Sequence, residues 1–158
     1  MIFATIGTQV PFDRFVRMVD EIAEELLINE EIIVQTIGMR YHPKHVTTVG
    51  FLSPDVFDRY ITKARLIIAH AGMGTIISAL LSNKPIIIVP RLASLHEHRN
   101  DHQMATAMRF DELGYVHVAY DKKQLRNLLL QHDLAPLTHI GPTADATLVR
   151  SIETFIGT

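Results

Sequence analysis

The clearest local pattern in the sequence lies at residues 66–75, which read Leu66-Ile67-Ile68-Ala69-His70-Ala71-Gly72-Met73-Gly74-Thr75. A short apolar run that stops at closely spaced glycines is typical of a buried strand followed by a tight turn. Apolar residues then return at helical spacing, and Lys84-Pro85 separates that helix from a second apolar run at residues 86–89. The segment therefore predicts a strand, a helix and a strand, which is the βαβ unit of a parallel sheet.

The same alternation extends through the rest of the chain in both directions. Pro11 precedes a helical pattern that ends near Leu26, and Ser53 is placed to cap another helix. Further helices are predicted up to Leu113 and at residues 122–131. The sequence thus predicts an open, doubly wound α/β domain with a parallel, Rossmann-like sheet and helices on both faces. The predicted strands are residues 1–6, 31–37, 46–49, 66–69, 86–89 and 115–119.

Composition limits the classes of function. The chain has 158 residues, of which 47% are hydrophobic and 20% charged, as expected for one globular domain over residues 1–158. Lys and Arg number 15 against 17 Asp and Glu, a net charge of -2, so no nucleic-acid partner is expected. The sequence has no cysteine, no apolar stretch of about 20 residues and no signal-peptide pattern. We therefore expect a soluble cytoplasmic protein without disulfides or a membrane span.

The turn at residues 70–75, here called the glycine turn, is the strongest candidate for a ligand site. Its two glycines let a ligand approach the backbone, and the N-terminus of the following helix favours a phosphate group. His70 and Thr75 add groups that can donate hydrogen bonds. The alternative is a turn whose glycines serve only close packing of helix and sheet. The sequence matches neither a P-loop nor the dinucleotide fingerprint, because Ile77 stands where the third glycine belongs.

Other polar or small residues follow predicted strands at the same edge of the sheet. Ligands of open parallel sheets bind beyond the carboxyl ends of the strands. Besides the glycine turn, that edge carries Gly7-Thr8-Gln9, Phe51-Leu52 and Pro90-Arg91. The first of these segments either forms a second polar wall of a ligand site or is a plain strand-to-helix turn.

A polar segment at residues 96–103 precedes a predicted helix. His98 and His102 are four residues apart with Asp101 beside them, so a metal site has to be weighed. The segment has no H-E-x-x-H motif, and a solvated or ligand-facing loop is the stronger interpretation. In the ligand-facing case, Asp101 and Gln103 offer carboxylate and amide groups that bind sugar hydroxyls.

No catalytic residue is evident beside the predicted phosphate site. The sequence has no G-x-S-x-G motif and no isolated pair of carboxylates, so neither a hydrolase nor a general base is indicated. An amphipathic helix is predicted at residues 143–158. Its apolar stripe either covers the chain's own core or docks on a partner.

Three blocks of sequence together resemble the C-terminal, donor-binding half of family 28 glycosyltransferases, which have the GT-B architecture. The longest block runs from Gly50 to Pro90 and follows the donor-binding signature of that family. Asp101-His102-Gln103 is similar to the His-Gln that recurs after it, and Ile6-Gly7-Thr8 to a glycine loop on the first strand. The chain is most similar to single-domain members that work in pairs. These are the small subunits of exopolysaccharide glucuronosyltransferases and of the N-acetylglucosaminyltransferase of lipid-linked oligosaccharide synthesis.

The resemblance implies a UDP-sugar donor and suggests roles for matching positions. It implies that backbone near Phe51 binds the uracil, that the glycine turn binds the diphosphate, and that Asp101 and Gln103 bind the sugar. Ser78 stands near the position where two-domain relatives often carry a Glu that holds the ribose, and one hydroxyl cannot bind in a bidentate manner. The family uses neither a metal nor a cofactor. The predicted substrate-binding residues are Gly7, Thr8, Phe51, His70, Gly72, Met73, Gly74, Thr75, Ser78, Arg91, Asp101 and Gln103.

The resemblance also implies half of an enzyme, because a GT-B enzyme has two domains facing across a cleft. We therefore expect the donor-binding subunit of a two-chain inverting glycosyltransferase, which moves a sugar to a lipid-linked acceptor in polysaccharide biosynthesis. A membrane-anchored partner subunit at the cytoplasmic membrane face would bind the acceptor and supply the catalytic base. Arg91 and Arg99 could pair with the carboxylate of glucuronate, or they are solvated loop residues. Glucuronate is the first candidate for the sugar, and N-acetylglucosamine and glucose are the alternatives.

Two other functions remain open. A non-catalytic nucleotide-sugar-binding or structural module is compatible with Ser78. A stand-alone enzyme with a phosphate ligand, such as an epimerase, would need a carboxylate or histidine base in the pocket. Transfer assays with and without a partner chain distinguish these functions.

Overall fold

A six-stranded sheet forms the centre of the structure, a computed structural model that describes residues 1–98, 100–131, 134 and 150. The strands are β1 (Ile2–Thr5), β2 (Ile32–Gln35), β3 (Thr47–Val49), β4 (Leu66–Ala69), β5 (Ile86–Ile88) and β6 (His117–Val118). Their spatial order is β3-β2-β1-β4-β5-β6, and each neighbouring pair is parallel. The parallel sheet predicted from the alternating pattern is therefore confirmed.

Helices connect most of the strands. They are α1 (Asp13–Glu25), α2 (Pro54–Lys63), α3 (Met73–Leu81), α4 (His102–Glu112) and α5 (Lys122–Leu129), together with a short 3-10 helix at Ala93–Leu95. Only the connection from β2 to β3 has no helix of its own. Among the described residues, none of the helices combines the length and the apolar composition needed to cross a membrane.

Alternate residues of the four central strands, β1, β2, β4 and β5, enter two separate hydrophobic cores. Ala4 and Ile68 point to one face of the sheet, which α1 and α5 cover, and Phe3 and Ile67 point to the other. Helices α2, α3 and α4 cover that second face. Because both faces of the central strands are buried, β4 and β5 can be apolar along their whole length, which explains the runs seen in the sequence.

The order of the strands reverses at β1. Strands β2 and β3 lie on one side of it, and β4, β5 and β6 lie on the other. At the carboxyl end of the sheet, Thr5 of β1 is in register with Ala69 of β4. Open α/β sheets bind ligands in the crevice at such a reversal. The fold therefore brings residues 7–11, here called the first loop, beside the glycine turn.

Element boundaries differ from the prediction mainly where the chain leaves the sheet. Strand β6 forms only at His117–Val118 instead of the predicted residues 115–119, because it is an edge strand in register with two residues of β5. Helix α3 begins at Met73, inside the glycine turn, rather than after it. The helix predicted at residues 143–158 lies outside the described residues, apart from Arg150.

Candidate functional site

A cavity of about 670 Å³ opens at the carboxyl edge of the sheet. Its walls come from the first loop, the residues after β3, the glycine turn with the start of α3, and the start of α4. The volume is in the range of pockets that enclose small-molecule ligands. Of the predicted substrate-binding residues, all except Asp101 line this cavity. The structure therefore brings these residues together at one cavity, and their role in binding a substrate stays a prediction.

The N-terminus of α3 forms one wall of the cavity. Gly72 precedes the helix with φ -85° and ψ 128°, and no side chain caps the first turn. The first N–H groups, on Met73, Gly74 and Thr75, have no acceptor within the helix. A Cβ atom on Gly74 would meet nothing within 4 Å, so the space beside it is open. These N–H groups have no acceptor in the described part of the chain, and they lie at the positive end of the helix dipole, so they suit this wall to an anion.

His70 lies between two glycines of different loops. A Cβ atom on Gly7 would lie 2.8 Å from Cε1 and Nε2 of the imidazole, and one on Gly72 would lie still closer to Nε2. Gly7 also has φ +79°, in the left-handed region that side chains rarely adopt. Both glycines therefore make room for the histidine ring. Gly72 therefore has the packing role that the sequence analysis gave as the alternative for the glycine turn. Gly74 does not, because the space beside it is open.

The His70 imidazole is neutral at pH 7. Burial is the main reason that its pKa is lowered from 6.5 to about 4, and the positive charge of Arg91 acts in the same direction. Within the described residues, the buried Nδ1 atom has no hydrogen-bond partner. A neutral imidazole has one nitrogen that donates and one that accepts, so His70 can donate to a phosphoryl oxygen without carrying charge.

Thr5 and Gln35 form a polar pair at the base of the cavity, where the sequence analysis assigned no ligand contact. They are in register on β1 and β2. The Thr5 hydroxyl donates to Gln35 Oε1 at 2.6 Å and accepts from the backbone N–H of Gly7 at 3.2 Å. These bonds fix the amide with its oxygen toward Thr5. The buried Nε2 atom of Gln35 has no partner in the described part of the chain.

The guanidinium of Arg91 is directed into the protein, which corrects its expected role at the sugar. It donates to the carbonyl oxygens of Pro11 at 2.8 Å, Ile6 at 2.9 Å and Val10 at 2.6 Å. Because these acceptors engage the guanidinium, nothing in the structure supports its pairing with a glucuronate carboxylate. Arg99, the other expected partner of that carboxylate, lies outside the described residues.

The two residues predicted to bind the sugar lie in different surroundings. Gln103 is buried and lines the cavity, and its Oε1 atom accepts the backbone N–H of Arg91 at 3.0 Å. Asp101 precedes α4, is exposed and does not line the cavity. Its carboxylate instead accepts the backbone N–H of Ala93 at 3.3 Å, next to the 3-10 helix. Gln103 therefore remains a candidate contact for the sugar, whereas Asp101 lies outside the lining of the cavity.

His98 and His102 both line the cavity. His102 is the first residue of α4 and His98 lies before the helix, so the pair does not share a helical face. The Nδ1 atom of His98 is 3.1 Å from the carbonyl oxygen of Asn100. Within the described residues, there is no group of three His, Asp or Glu side chains that could hold a metal ion.

The wall that follows β3 carries the apolar residues Phe51, Leu52 and Pro54. Phe51 lies there with 75% of its surface exposed. Helix α2 adds Phe57 and Asp58, which sequence reasoning missed because their place depends on how α2 packs against the sheet. Ser78 lines the cavity from α3.

Comparison with known proteins gives matches over most of the chain. The model of the "Glycosyltransferase family 28 C-terminal domain" matches residues 1–151. The UDP-N-acetylglucosamine transferase subunit ALG13 of Saccharomyces cerevisiae is 27% identical over 155 residues, which covers 73% of this chain and 75% of that protein. ALG13 of Candida albicans is 34% identical over 88 residues, or 56% of this chain. This match spans only 28% of the Candida albicans protein.

Solved structures share the fold. An NMR structure of ALG13 has a TM-score of 0.63 at 24% identity, covering 96% of this chain and 93% of that chain. The crystal structure of MurG from Acinetobacter baumannii has a TM-score of 0.60 at 17% identity, covering 84% of this chain and 42% of that chain. These likenesses confirm the Rossmann-like α/β fold of GT-B glycosyltransferases. Since the family model covers residues 1–151, the chain belongs to the family of glycosyltransferase family 28 C-terminal domains.

Proposed function

We propose that the chain is the donor-binding subunit of a glycosyltransferase that uses a UDP-sugar. The observation that carries the proposal is a cavity, in a member of this glycosyltransferase family, that joins the uncapped N-terminus of α3 to the first loop. Such a helix terminus suits the diphosphate of a nucleotide sugar. The relatives named UDP-N-acetylglucosamine transferase subunits support UDP as the nucleotide and N-acetylglucosamine as the first sugar to test.

In this proposal the nucleotide extends from the wall after β3 to the glycine turn. The exposed ring of Phe51 covers the uracil, and the first N–H groups of α3 hold the diphosphate. His70 adds one neutral N–H donor. These donors stabilise the charge that develops on UDP when the bond between the sugar and the β-phosphate oxygen breaks. Gln103 is then the candidate contact for the sugar hydroxyls.

A second chain completes the active site in this proposal. The matched family is a C-terminal domain, and the relatives are named as subunits, which supports a division of labour between chains. We propose that the partner subunit binds a lipid-linked acceptor, holds the pair at the cytoplasmic face of a membrane and supplies the base. Asp58, His98 and His102 line the cavity, so a base on this chain is the competing assignment.

Titration calorimetry with UDP tests donor binding directly. We expect UDP to bind the wild-type chain and His70→Ala to weaken that binding about tenfold, the effect of one hydrogen bond to a charged group. His42→Ala is the matched control, because His42 is exposed and does not line the cavity. Absence of UDP binding to the folded wild-type chain would contradict the donor-binding function. Equal affinity of His70→Ala would remove only His70 from the site.

Sugar-transfer assays test the division between two chains. We expect transfer from a UDP-sugar only when an acceptor-binding partner subunit is added. Robust turnover by this chain alone would contradict the two-chain arrangement and make Asp58, His98 and His102 the candidate bases. A panel of UDP-N-acetylglucosamine, UDP-glucose and UDP-glucuronate then identifies the sugar by relative affinity.

A non-catalytic nucleotide-sugar-binding module is the second candidate. Ser78 favours it, because this residue offers the cavity one hydroxyl and no carboxylate for the ribose. This function predicts that UDP-sugars bind but are not transferred with any partner. Transfer on addition of a partner subunit would reject it.

A further inference from the structure

Arg91 is a buried cation that forms no salt bridge with a carboxylate in the described part of the chain, and Glu97 acts on its charge only through space. Its side chain is 3% exposed, and its guanidinium donates only to carbonyl oxygens, of Ile6, Val10 and Pro11. It also stacks over the ring of Phe12, with 4.5 Å between the guanidinium carbon and the ring centre. Arginine keeps its charge even when buried, and a buried charge without a counter-ion is costly. The arrangement therefore calls for an explanation beyond packing.

Arg14, near Arg91, has the arrangement that is usual for an arginine in the protein interior, an ion pair with a carboxylate. Its guanidinium binds both carboxylate oxygens of Glu97, at 2.6 Å and 3.0 Å, and donates to the carbonyl oxygen of Pro90 at 3.1 Å. Arg14 also lies over the Phe12 ring, at 5.3 Å. The nearby acid is thus engaged by Arg14, and the charge of Arg91 remains without a carboxylate in contact.

The hydrogen bonds of Arg91 engage the backbone carbonyl oxygens of the first loop and not its backbone N–H groups. Each carbonyl that it binds belongs to this loop or to the residue before it. In the described structure, the backbone N–H groups of Thr8, Gln9 and Val10 donate to no protein acceptor. These three residues are exposed and line the cavity. The loop therefore turns carbonyl acceptors toward the buried cation and leaves three N–H donors without an acceptor in the described part of the chain.

The charge of Arg91 also reaches the cavity. After burial, it is the next largest cause that lowers the pKa of His70. The His70 ring lies against Gly7, at the start of the first loop. Because charges interact more strongly in a protein interior than in water, an anion at this wall experiences the same positive potential.

We propose that Arg91 is a positioning residue for a diphosphate. It holds the first loop with its N–H groups available at the cavity and supplies positive charge from behind that loop, without touching the ligand. This inference rests on the proposed function, because the ligand is a nucleoside diphosphate. It predicts that the contribution of Arg91 to affinity increases with the number of phosphate groups on the ligand.

The test compares uridine, UMP and UDP on variants at residue 91 by titration calorimetry, with ligand-detected NMR for the weakest complexes. We expect Arg91→Met to weaken UDP binding about 20-fold, UMP less, and uridine by no more than about twofold. Arg91→Lys retains the charge but not the planar fork, so its UDP affinity should lie between those of Arg91→Met and wild type.

The neighbouring ion pair provides the matched control. The double variant Arg14→Met/Glu97→Gln removes both partners without changing net charge, and Arg14 and Glu97 do not line the cavity. The double variant also removes the charge of Glu97, which acts on Arg91, but the first loop keeps the Arg91 guanidinium, so we expect UDP affinity to stay within about twofold of wild type. A loss as large as that of Arg91→Met would show that any loosening of these loops impairs binding, and would overturn the proposal.

The titration of His70, followed by NMR without ligand, is a second readout that a merely structural role would not change. We expect the pKa of His70 to rise in folded Arg91→Met and to stay low in Arg91→Lys. An unchanged pKa in Arg91→Met, or equal losses for UDP and uridine, would overturn the proposal. If Arg91→Met does not fold, the UDP and uridine affinities of Arg91→Lys are compared instead. Equal losses of affinity for the two ligands would again overturn the proposal. Failure of wild type to bind UDP would reject the proposed function, whereas the His70 titration would still report on Arg91.

Discussion

Two buried polar clusters, one on α1 and one beside the cavity, differ in how completely their groups are hydrogen-bonded. On α1, Asp20 is 2% exposed. Its carboxylate accepts the Tyr41 hydroxyl at 2.7 Å and the backbone N–H groups of His45 at 2.7 Å and Lys44 at 3.0 Å. This cluster holds the connection between β2 and β3, the one without a helix, against the rest of the protein.

The cluster beside the cavity, formed by the buried Gln35 and the half-buried His70, lacks such completeness. Among the described residues, Gln35 Nε2 and His70 Nδ1 are buried and have no hydrogen-bond partner. Native proteins pair nearly all buried polar groups, and the exceptions concentrate where a group has a task besides stability. The hydrogen bonds of the Asp20 cluster serve the fold, whereas in the proposed function the cavity cluster faces the nucleotide.

Asp20→Ala should lower the free energy of unfolding more than the other substitutions do, and it should leave the UDP affinity of the folded protein unchanged. The substitution leaves one hydroxyl and two backbone N–H groups without their acceptor, so we expect the free energy of unfolding to fall by about 3 kcal/mol. Urea denaturation measures this loss. Asp55→Ala, at an exposed acid in the first turn of α2, is the control and should cost about 0.5 kcal/mol. A folded Asp20→Ala protein that no longer binds UDP would break the distinction between the clusters.

Acid should destabilise the two clusters in different pH ranges. The folded-state pKa of His70, about 4, lies below its ordinary value of 6.5. Its contribution to stability is therefore complete above pH 6.5 and is lost as the pH falls toward 4, by about 3 kcal/mol in total. His70→Gln should abolish this loss, as measured by urea denaturation between about pH 7 and pH 4.

Asp20 titrates in a lower range. Burial alone would raise its pKa, but the hydrogen bonds from Tyr41 and from the backbone of His45 and Lys44 together lower it below 3.8. Its contribution is present above that value and is lost only as the pH falls further. If the wild-type protein kept its full stability down to about pH 4.5, His70 would not be held neutral by burial. The loss of stability in acid would then begin only in the lower pH range where Asp20 titrates.

The fold could be predicted because its determinants are local. The apolar runs of β4 and β5, the glycines between them and the helical spacing around them fix the element types without reference to distant residues. The parallel arrangement then places every strand-to-helix turn at one edge. That is sufficient to bring the first loop, the glycine turn and Phe51 to one cavity before any coordinates are known.

The roles of individual side chains could not be predicted in the same way. Arg91 and Asp101 are polar residues of loops near the predicted site, yet one bonds carbonyls of the first loop and the other bonds the backbone of Ala93. Which partner a loop side chain takes depends on the path of a second loop distant in sequence. Gln35 was missed for a related reason, because a polar residue at the end of an apolar strand becomes informative only when its register with Thr5 is known.

Gln35→Met should have the smallest effect on stability, and it tests directly whether the buried amide beside the cavity contributes to nucleotide binding. The substitution roughly conserves volume and removes the buried, unpaired N–H together with the acceptor of the Thr5 hydroxyl. These changes oppose each other, so we expect stability to stay within about 1 kcal/mol of wild type. UDP affinity should fall about fivefold, the contribution of one net hydrogen bond.

Gln124→Met on α5 is the matched control for Gln35→Met. Gln124 also uses its amide oxygen to accept a backbone N–H, that of Tyr120 at 2.8 Å, and it does not line the cavity. The same substitution there should leave UDP affinity unchanged. A Gln35→Met protein that binds UDP as tightly as wild type would show that the unpaired amide does not serve the nucleotide. In that case the contrast with Asp20 would rest on His70 alone, whose ring lies against the first loop that Arg91 holds.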